Sequence, residues 1–470
     1  NNQTGNLTHM EQIISALPGE GGLGVPVSLI YNSEIWEKHD QGTVRNTYTR
    51  YSALQGKGLG WSFHMGRLIS FPAGDSLGNV IFEKPDGSTA TVMHLSEGYI
   101  VGPFANPYQA EVTGDGSFMR GQTQVVDGMT QSGLRDGNGN FYVLRDIGTV
   151  ATSPYGGVFM SVVDRIVGVD GGSIAISYHP TYKTQVTEIN DGSRRITFDY
   201  AASYSGYSES AGNIQMGVLT AIRIRDLSGA VLRTFTPEYQ LRTLQSPYSA
   251  GYTPRTRLFL TGISGPNGYH VGFDYNSFGE MIRYDNPFGG RETYDHMQYL
   301  YPAPHNSDFS SGCLSNEEKR IFVMWPDPPE SPTAVDASMP NRGVITVRVY
   351  DSATDSNHDT TDYQRAIPAT FVSDDYESTV TVTRPDGTQV ISTYAGRFVT
   401  AEEVWSGSSR LQRTEKDWQT FRIFLKEEPV PITQTCFWGY RNQCPRVTRQ
   451  KTTVYDLSGA GQHLVTETFS

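Results

Sequence analysis

The chain has 470 residues, 37% hydrophobic and 18% charged, with 49 Gly and 25 Pro, a balance expected of a turn-rich globular protein rather than a membrane-embedded or disordered one. Its 37 Lys and Arg against 49 Asp and Glu leave a net charge of −12. Without a basic run it is poorly equipped to neutralise phosphates, which argues against nucleic-acid binding.

Asn1-Asn2-Gln3-Thr4 offers no initiator Met, basic region or apolar run, so the chain is expected to be processed or trimmed. No stretch approaches the roughly 18 apolar residues of a membrane-spanning helix. Asn2 and Asn6 stand in formal glycosylation sequons. Gly19-Glu20-Gly21-Gly22-Leu23-Gly24 matches the three-glycine dinucleotide fingerprint, but that motif needs a helix behind it. Pro26 and a Val/Leu/Ile run follow instead, so the glycines read as a turn.

Strand patterns then succeed one another. Val27-Ser28-Leu29-Ile30-Tyr31 ends at Asn32-Ser33, and Val80-Ile81-Phe82-Glu83-Lys84 enters Pro85-Asp86-Gly87-Ser88. Thr379-Val380-Thr381-Val382-Thr383 alternates and enters Pro385-Asp386-Gly387-Thr388. Pro presets the first turn angle and Gly supplies the positive φ that follows, so each tetrad predicts a hairpin tip. The middle of the chain repeats this unit. Asp164-Arg165-Ile166 leads to Ile174-Ala175-Ile176-Ser177-Tyr178, and Thr187-Glu188-Ile189 to Ile196-Thr197-Phe198-Asp199-Tyr200. Thr261-Gly262-Ile263 leads to Val271-Gly272-Phe273-Asp274-Tyr275, and a looser copy starts at Leu219-Thr220-Ala221-Ile222. Such a hairpin cannot bury its own face, so copies must join one extended sheet.

The expected organisation is a front part over 1–160, hairpin repeats over 161–300, a Pro-rich excursion over 301–342 and further hairpins over 343–470. The best helix candidate, Asn316-Glu317-Glu318-Lys319-Arg320, lies in the excursion and runs into Pro326, Pro328 and Pro329. Val454-Tyr455-Asp456-Leu457-Ser458-Gly459 opens another unit. A repeat array needs a polar cap, so the parent polypeptide is expected to continue past Ser470. Cys436 and Cys444 flank an aromatic segment at a spacing that suits a disulfide across a hairpin loop, the alternative being two unpaired core cysteines. Zinc is disfavoured, since paired Cys-x-x-Cys or His spacing is missing. Cys313 is left over. Few cysteines in a Gly- and Tyr-rich chain suit a protein secreted from a bacterium, outside the cell or at its surface.

Three stretches resemble the Rhs, or YD-repeat, family. Thr4-Gly5-Asn6-Leu7 with Leu17-Pro18-Gly19 and Val25-Pro26-Val27 through Ser33 is similar to the start of a bacterial Rhs shell. Gly58-Leu59-Gly60-Trp61-Ser62, with Gly66-Arg67-Leu68-Ile69 behind it, resembles the family's Gly-Trp-Ser signature. Tyr284-Asp285, Tyr294-Asp295 and Tyr455-Asp456 supply the Tyr-Asp pairs. The resemblance implies an all-β fold, a long antiparallel hairpin sheet coiling into a shell or spiral. Shells of this kind occur in toxin-complex cocoons, polymorphic toxins and teneurins, and the implied partner is a C-terminal region or cargo. The chain lacks the Asp-Pro-x-Gly self-cleavage core, so no catalytic residue carries over.

Candidate chemistry is thin. Asp136-Gly137-Asn138-Gly139-Asn140 has alternating calcium-type oxygens, but Phe141 and Ile147 occupy the positions where an EF-hand needs Gly and Glu. Asp355, His358, Asp359 and Asp362 form a second oxygen-rich loop. Both read as solvated turns, with a structural Ca²⁺ as the alternative. The adjacent acids Glu402-Glu403 and Asp374-Asp375 point to opposite faces of a strand, unlike a hydrolase pair, and read as edge charges. His64 has no motif-placed Ser or Cys partner and reads as packing. Tyr204, Tyr207, Tyr248 and Tyr252 lie in Ser/Gly-rich loops, where they could contact glycans or proteins, or stack in the core. The sequence therefore favours a non-enzymatic shell module without a cofactor. The alternative is an adhesin or filament subunit associating through strand edges and Tyr loops.

Overall fold

The computed structural model describes residues 6–15, 23–24, 26–33, 35–41, 44–49, 56–70, 80–85, 89–95, 110–113, 119–153, 156–211, 214–247, 254–302, 338–366, 377–395, 398–423, 441–456 and 462–469. Among them are thirty-two strands and one 3-10 turn, Pro266–Gly268. The fold is all-β, and its main body is a long antiparallel meander of hairpins. The helix candidate at Asn316–Arg320 lies outside the described residues.

Eight strands, from Arg67–Ser70 to Gly156–Val167, pair in a circuit. Each pairs with its successor, Ala110–Thr113 meeting Arg120–Val126 through Arg120↔Val112. Gly156–Val167 then returns to the first strand through Phe159↔Ser70 to Val162↔Arg67. Its far end, Arg165 to Val167, pairs instead with Ser173–Tyr178, and the long meander departs from there. Among the described residues the meander shows no closure, and Gln462–Phe469 is registered against Arg441–Tyr455.

Turn chemistry explains the regularity. Four tips, opened by Asp136, Asp226, Asn276 and Asn286, share one construction. The opening residue's N–H donates to the carbonyl four residues on. The glycine three residues on, at φ +86 to +92, donates back to the opening carbonyl. The opening side-chain oxygen accepts the N–H four residues on, at 2.9–3.1 Å. This is the three-residue hairpin loop ending in a left-handed residue, with an Asx bond added. The tip at Pro385-Asp386-Gly387 follows the same backbone pattern and joins Glu377–Thr383 to Thr388–Ala395, as its sequence predicts.

The repeats share a second device. Tyr178, Tyr200 and Tyr275 each donate their hydroxyl to a backbone carbonyl, of Val163, Val186 and Leu260 respectively, at 2.6, 2.9 and 2.7 Å. In each unit the acceptor stands three residues before the opening isoleucine. Burial, before any charge effect, pushes all three phenols far above their ordinary pKa, so they remain donors.

The neighbouring acids face the other way, as the two-residue strand period requires. Asp199 pairs with Arg223, Asp274 with Arg242, Asp285 with Arg291 and Asp295 with Arg348. At these four sites the Tyr-Asp or Asp-Tyr dipeptide places a ring on the inner face and a charge on the outer one, where it ties neighbouring strands.

Candidate functional site

The inner face of the front meander is filled by the chain's own N-terminal segment, a plug made of Thr8–Ile14, Val27–Asn32 and the stretch leading into Trp61–Ser62. The stretch Gly58-Leu59-Gly60-Trp61-Ser62 is its centre. Leu59 N–H donates to Leu258 O at 2.7 Å, and Gly56 O accepts Leu219 N–H at 2.9 Å, so backbone meets backbone. Gly58 permits this: its φ is +95°, and a Cβ there would sit 2.5 Å from Leu260 N. Gly60, at φ +80°, lies against the Tyr31 ring, where a Cβ would come within 2.7 Å. Trp61 is fully buried and its Nε1–H donates to the Tyr275 hydroxyl at 2.6 Å. Tyr31 donates to Gly279 O and accepts Met281 N–H, both at 2.9 Å. Ser62 is half-buried and its hydroxyl donates to Ile30 O at 3.4 Å.

Polar contacts latch the plug beside this centre. Glu11 is buried and accepts the Tyr269 hydroxyl at 2.6 Å, with His9 Nε2 3.5 Å away. Burial pushes the Glu11 carboxyl up, but His9 and Tyr269 outweigh it and hold the group below its ordinary pKa. His9 sits among the rings of Trp61, Phe273 and Tyr284, with centroids 6.0, 5.9 and 4.3 Å away.

A cleft of about 490 Å³ opens where the plug meets the circuit of eight strands. Ser28 and His64 both line it, and His64 Nε2 faces Glu83 Oε2 at 3.6 Å. Serine, histidine and glutamate invite comparison with a nucleophilic triad, but the imidazole is already committed. Its Nδ1 accepts Gly66 N–H at 3.2 Å, which puts the ring proton on Nε2, toward Glu83. Neither nitrogen is left to take a proton from Ser28, as a general base must. Glu83 is closed from its other side by the Arg67 guanidinium. Burial raises its pKa, yet Arg67 and then His64 prevail and hold the carboxyl below the ordinary range. The cluster joins plug to circuit as a buried ion group.

The remaining sequence candidates are placed as follows. Tyr284 stacks on Phe273 at 5.8 Å, and Tyr294 is buried with its hydroxyl donating to Glu292 at 2.6 Å. Tyr455 lies under the Arg410 guanidinium, 4.6 Å from the ring centroid, and Asp456 is exposed. Tyr204 and Tyr207 exchange backbone hydrogen bonds at 2.8 Å, and the Tyr204 hydroxyl is spent on Tyr239 O at 2.7 Å. Tyr248, Tyr252, Cys313, Cys436 and Asp374-Asp375 lie outside the described residues. Cys444 falls within the strand Arg441–Tyr455.

Asp136 accepts from Asn138 N, Asn140 N and Nδ2, and the Tyr142 hydroxyl, so its oxygens serve the turn. Asp362 accepts Thr346 Oγ1–H at 2.8 Å, and Asp355 accepts Asn357 N–H at 3.1 Å. Among the described residues no group of three or more His, Cys, Asp or Glu is placed to hold a metal ion.

One expectation is corrected. Glu402 and Glu403 are not edge charges, because Phe398–Ser406 is paired on both sides, with Thr388–Ala395 and Ser409–Ile423. Glu403 instead binds Arg410 and Arg413 at 2.9 Å and Trp405 Nε1–H at 3.0 Å on one face. Glu402 faces the opposite way, between Ser392 and Thr414. The four Asx tips carry a further signal of their own, the Asp/Asn-x-x-Gly spacing, which pattern reading of strands and Pro-Asp-Gly tetrads alone passes over.

No family model and no curated protein matches this sequence. Solved structures do. The chain is similar to the N-terminal domain of effector protein SpvB from Salmonella typhimurium strain LT2, at 16% identity over 60% of this chain and 93% of that one, with a TM-score of 0.22. It is similar to TcdB2-TccC3 at 10% identity, with 100% of this chain and 30% of that one covered and a TM-score of 0.33. A third likeness, to the Photorhabdus luminescens Tc holotoxin pore, has 11% identity over 94% of this chain and 23% of that one, with a TM-score of 0.21. The chain therefore spans under a third of the latter two. These similarities are distant and concern the β fold.

Proposed function

We propose that this chain is a non-enzymatic structural module, the front part of a secreted Rhs/YD-type shell that encloses or presents a segment of its own polypeptide or a cargo. The carrying observation is a change of inner-face chemistry within one continuous sheet. In the front, Ile176, Ile189, Ile196 and Ile224 face one another across four strands, all buried. In the rear, the corresponding row passes from buried Val380 to Ser392, Glu402, Thr414 and Thr452, polar residues of which Ser392 and Thr414 are buried. On the opposite rear face the row is Thr381, Ile391, Glu403, Arg413 and Thr453, polar but for Ile391. A wall with a polar surface on either side suits a lumen better than a packed core. The plug secures the front of that wall, and strand pairing leaves few free edges along it.

Peptide mapping with intact mass on the natively produced protein tests this reading. Peptides running past Ser470 into further Tyr-Asp hairpins would support it. A native chain ending at Ser470 would sink the enclosing role. A second reading, a filament or adhesin subunit, is favoured by one feature, the strand Gln462–Phe469 with exposed Leu464, Val465 and Phe469. Among the described residues this strand is paired on one side, and an edge of that kind can add a strand from another copy. Sedimentation velocity across a concentration series separates the two: a filament subunit polymerises and Leu464→Lys suppresses it, whereas a shell module stays at one size.

A further inference from the structure

We propose that the cleft beside the plug binds a small, neutral, flat aromatic molecule bearing one hydrogen-bonding group. This goes beyond the shell reading and does not depend on it. The cleft's volume of about 490 Å³ falls in the range of roughly 300–1,000 Å³ common to small-molecule sites. Its lining includes Met10, Met65 and Met119 and the aromatic residues Phe63, Phe82 and Tyr142. Polarizable sulfur and ring edges favour a planar π-system over a branched aliphatic one.

The walls are held in place before any ligand arrives. Phe63 is stacked on Phe198 at 4.7 Å, and Phe82 meets Tyr142 edge-on at 5.9 Å. Met10 is 51% exposed on a strand whose Glu11, Ile13 and Ile14 are buried, which leaves an apolar side chain at the mouth.

The polar requirement comes from Ser28. It lines the cleft and is 7% exposed, and its hydroxyl has no hydrogen-bond partner among the described residues. A buried hydroxyl without a partner carries a desolvation penalty, and rotation about its own bond lets it meet a ligand N–H or carbonyl. Lys84 and Asp136 line the same cleft with opposite charges, and Asp136 is occupied by its turn. The two formal charges offset one another, which favours a neutral ligand over an ion. His64, held between Gly66 and Glu83, shapes the floor.

Isothermal titration of the intact protein with indole and with 1-methylindole tests the assignment, since the two probes differ in one N–H. Saturable one-to-one binding of both is expected, indole the tighter. Ser28→Ala should weaken indole about 3–10-fold, leave 1-methylindole unchanged and so erase the preference. Met119→Trp should abolish both by filling the cleft. Should that variant lose its near-UV dichroism, Met10→Trp at the half-exposed mouth makes the same test without touching the core. Absence of saturable binding at about 1 mM probe, or binding unaffected by the folded tryptophan variant, would overturn the site. An indole preference that survives Ser28→Ala would overturn the role of the hydroxyl.

Discussion

The front meander and the rear meander use the same hairpin but reach opposite states. In the front, Trp61, Tyr31 and Leu59 from the plug are wholly buried against Phe259, Leu260 and Tyr275. In the rear, the apolar cluster consists of Val380, Val382 and Tyr394, with Tyr363, Val390 and Val399 against it, and each residue of Phe398–Ser406 stays at least partly accessible. Strand pairing alone therefore does not make a core. A hairpin array becomes a packed body only where a second layer covers its face, and here that layer comes from the same chain, more than 200 residues away in sequence.

Cutting one anchor on each side puts this contrast at greatest risk. Trp61→Ala should cost about 3–5 kcal/mol, the range for deleting a buried aromatic. Val380→Ala should cost about 1–2 kcal/mol from the two carbons lost. Urea titration read by tryptophan fluorescence and far-UV dichroism measures both, and equal losses would refute the division.

A finer test compares polar groups. Tyr275→Phe removes the hydroxyl that serves Trp61 Nε1 and Leu260 O, both buried. Leaving them unpaired should cost about 1–3 kcal/mol. Glu403→Gln in the rear weakens a partly accessible network and should cost no more than about 1 kcal/mol. A larger loss from Glu403→Gln than from Tyr275→Phe would reverse the proposed order.

The smallest effect concerns acid. Glu11 and Glu83 in the front have folded pKa values below their ordinary 4.5. The unfolded chain therefore binds protons first, so these groups stabilise the fold above about pH 4.5 and lose that contribution as pH falls through their folded values. Hydrogen exchange around Glu11 and Glu83 should quicken below pH 4.5, and Glu11→Gln should flatten that dependence locally without altering the separate response of Glu403, whose carboxyl is lowered in the same direction. Exchange that quickens first in Glu377–Thr383 and Thr388–Ala395 would place the acid-sensitive contacts elsewhere.

Much of the local structure is written in the sequence because its causes are local. The strand–turn–strand units at Ile166–Tyr178, Ile189–Tyr200 and Ile263–Tyr275 follow from alternation closed by turn residues, and the tip at Pro385-Asp386-Gly387 from two residues with restricted dihedrals. The Tyr-Asp pairs are legible as a pattern. The roles of their members, Tyr284 and Tyr294 on the inner face and Asp285 and Asp295 outward to arginines, depend on which face is covered. Glu402-Glu403 marks the limit: alternation puts the two acids on opposite faces, but nothing local says whether a strand is an edge.

The all-β class and the hairpin repeat follow from the order of residues alone, because period and turn chemistry act over a few positions. That Gly58-Leu59-Gly60-Trp61 is a buried plug, that His64 is spent between Gly66 and Glu83, and that Ser28 shares its cleft emerge only in the folded molecule. Those facts rest on contacts between segments far apart in the chain, such as Trp61 with Tyr275, whose free energy exists only once the sheet has brought both ends together.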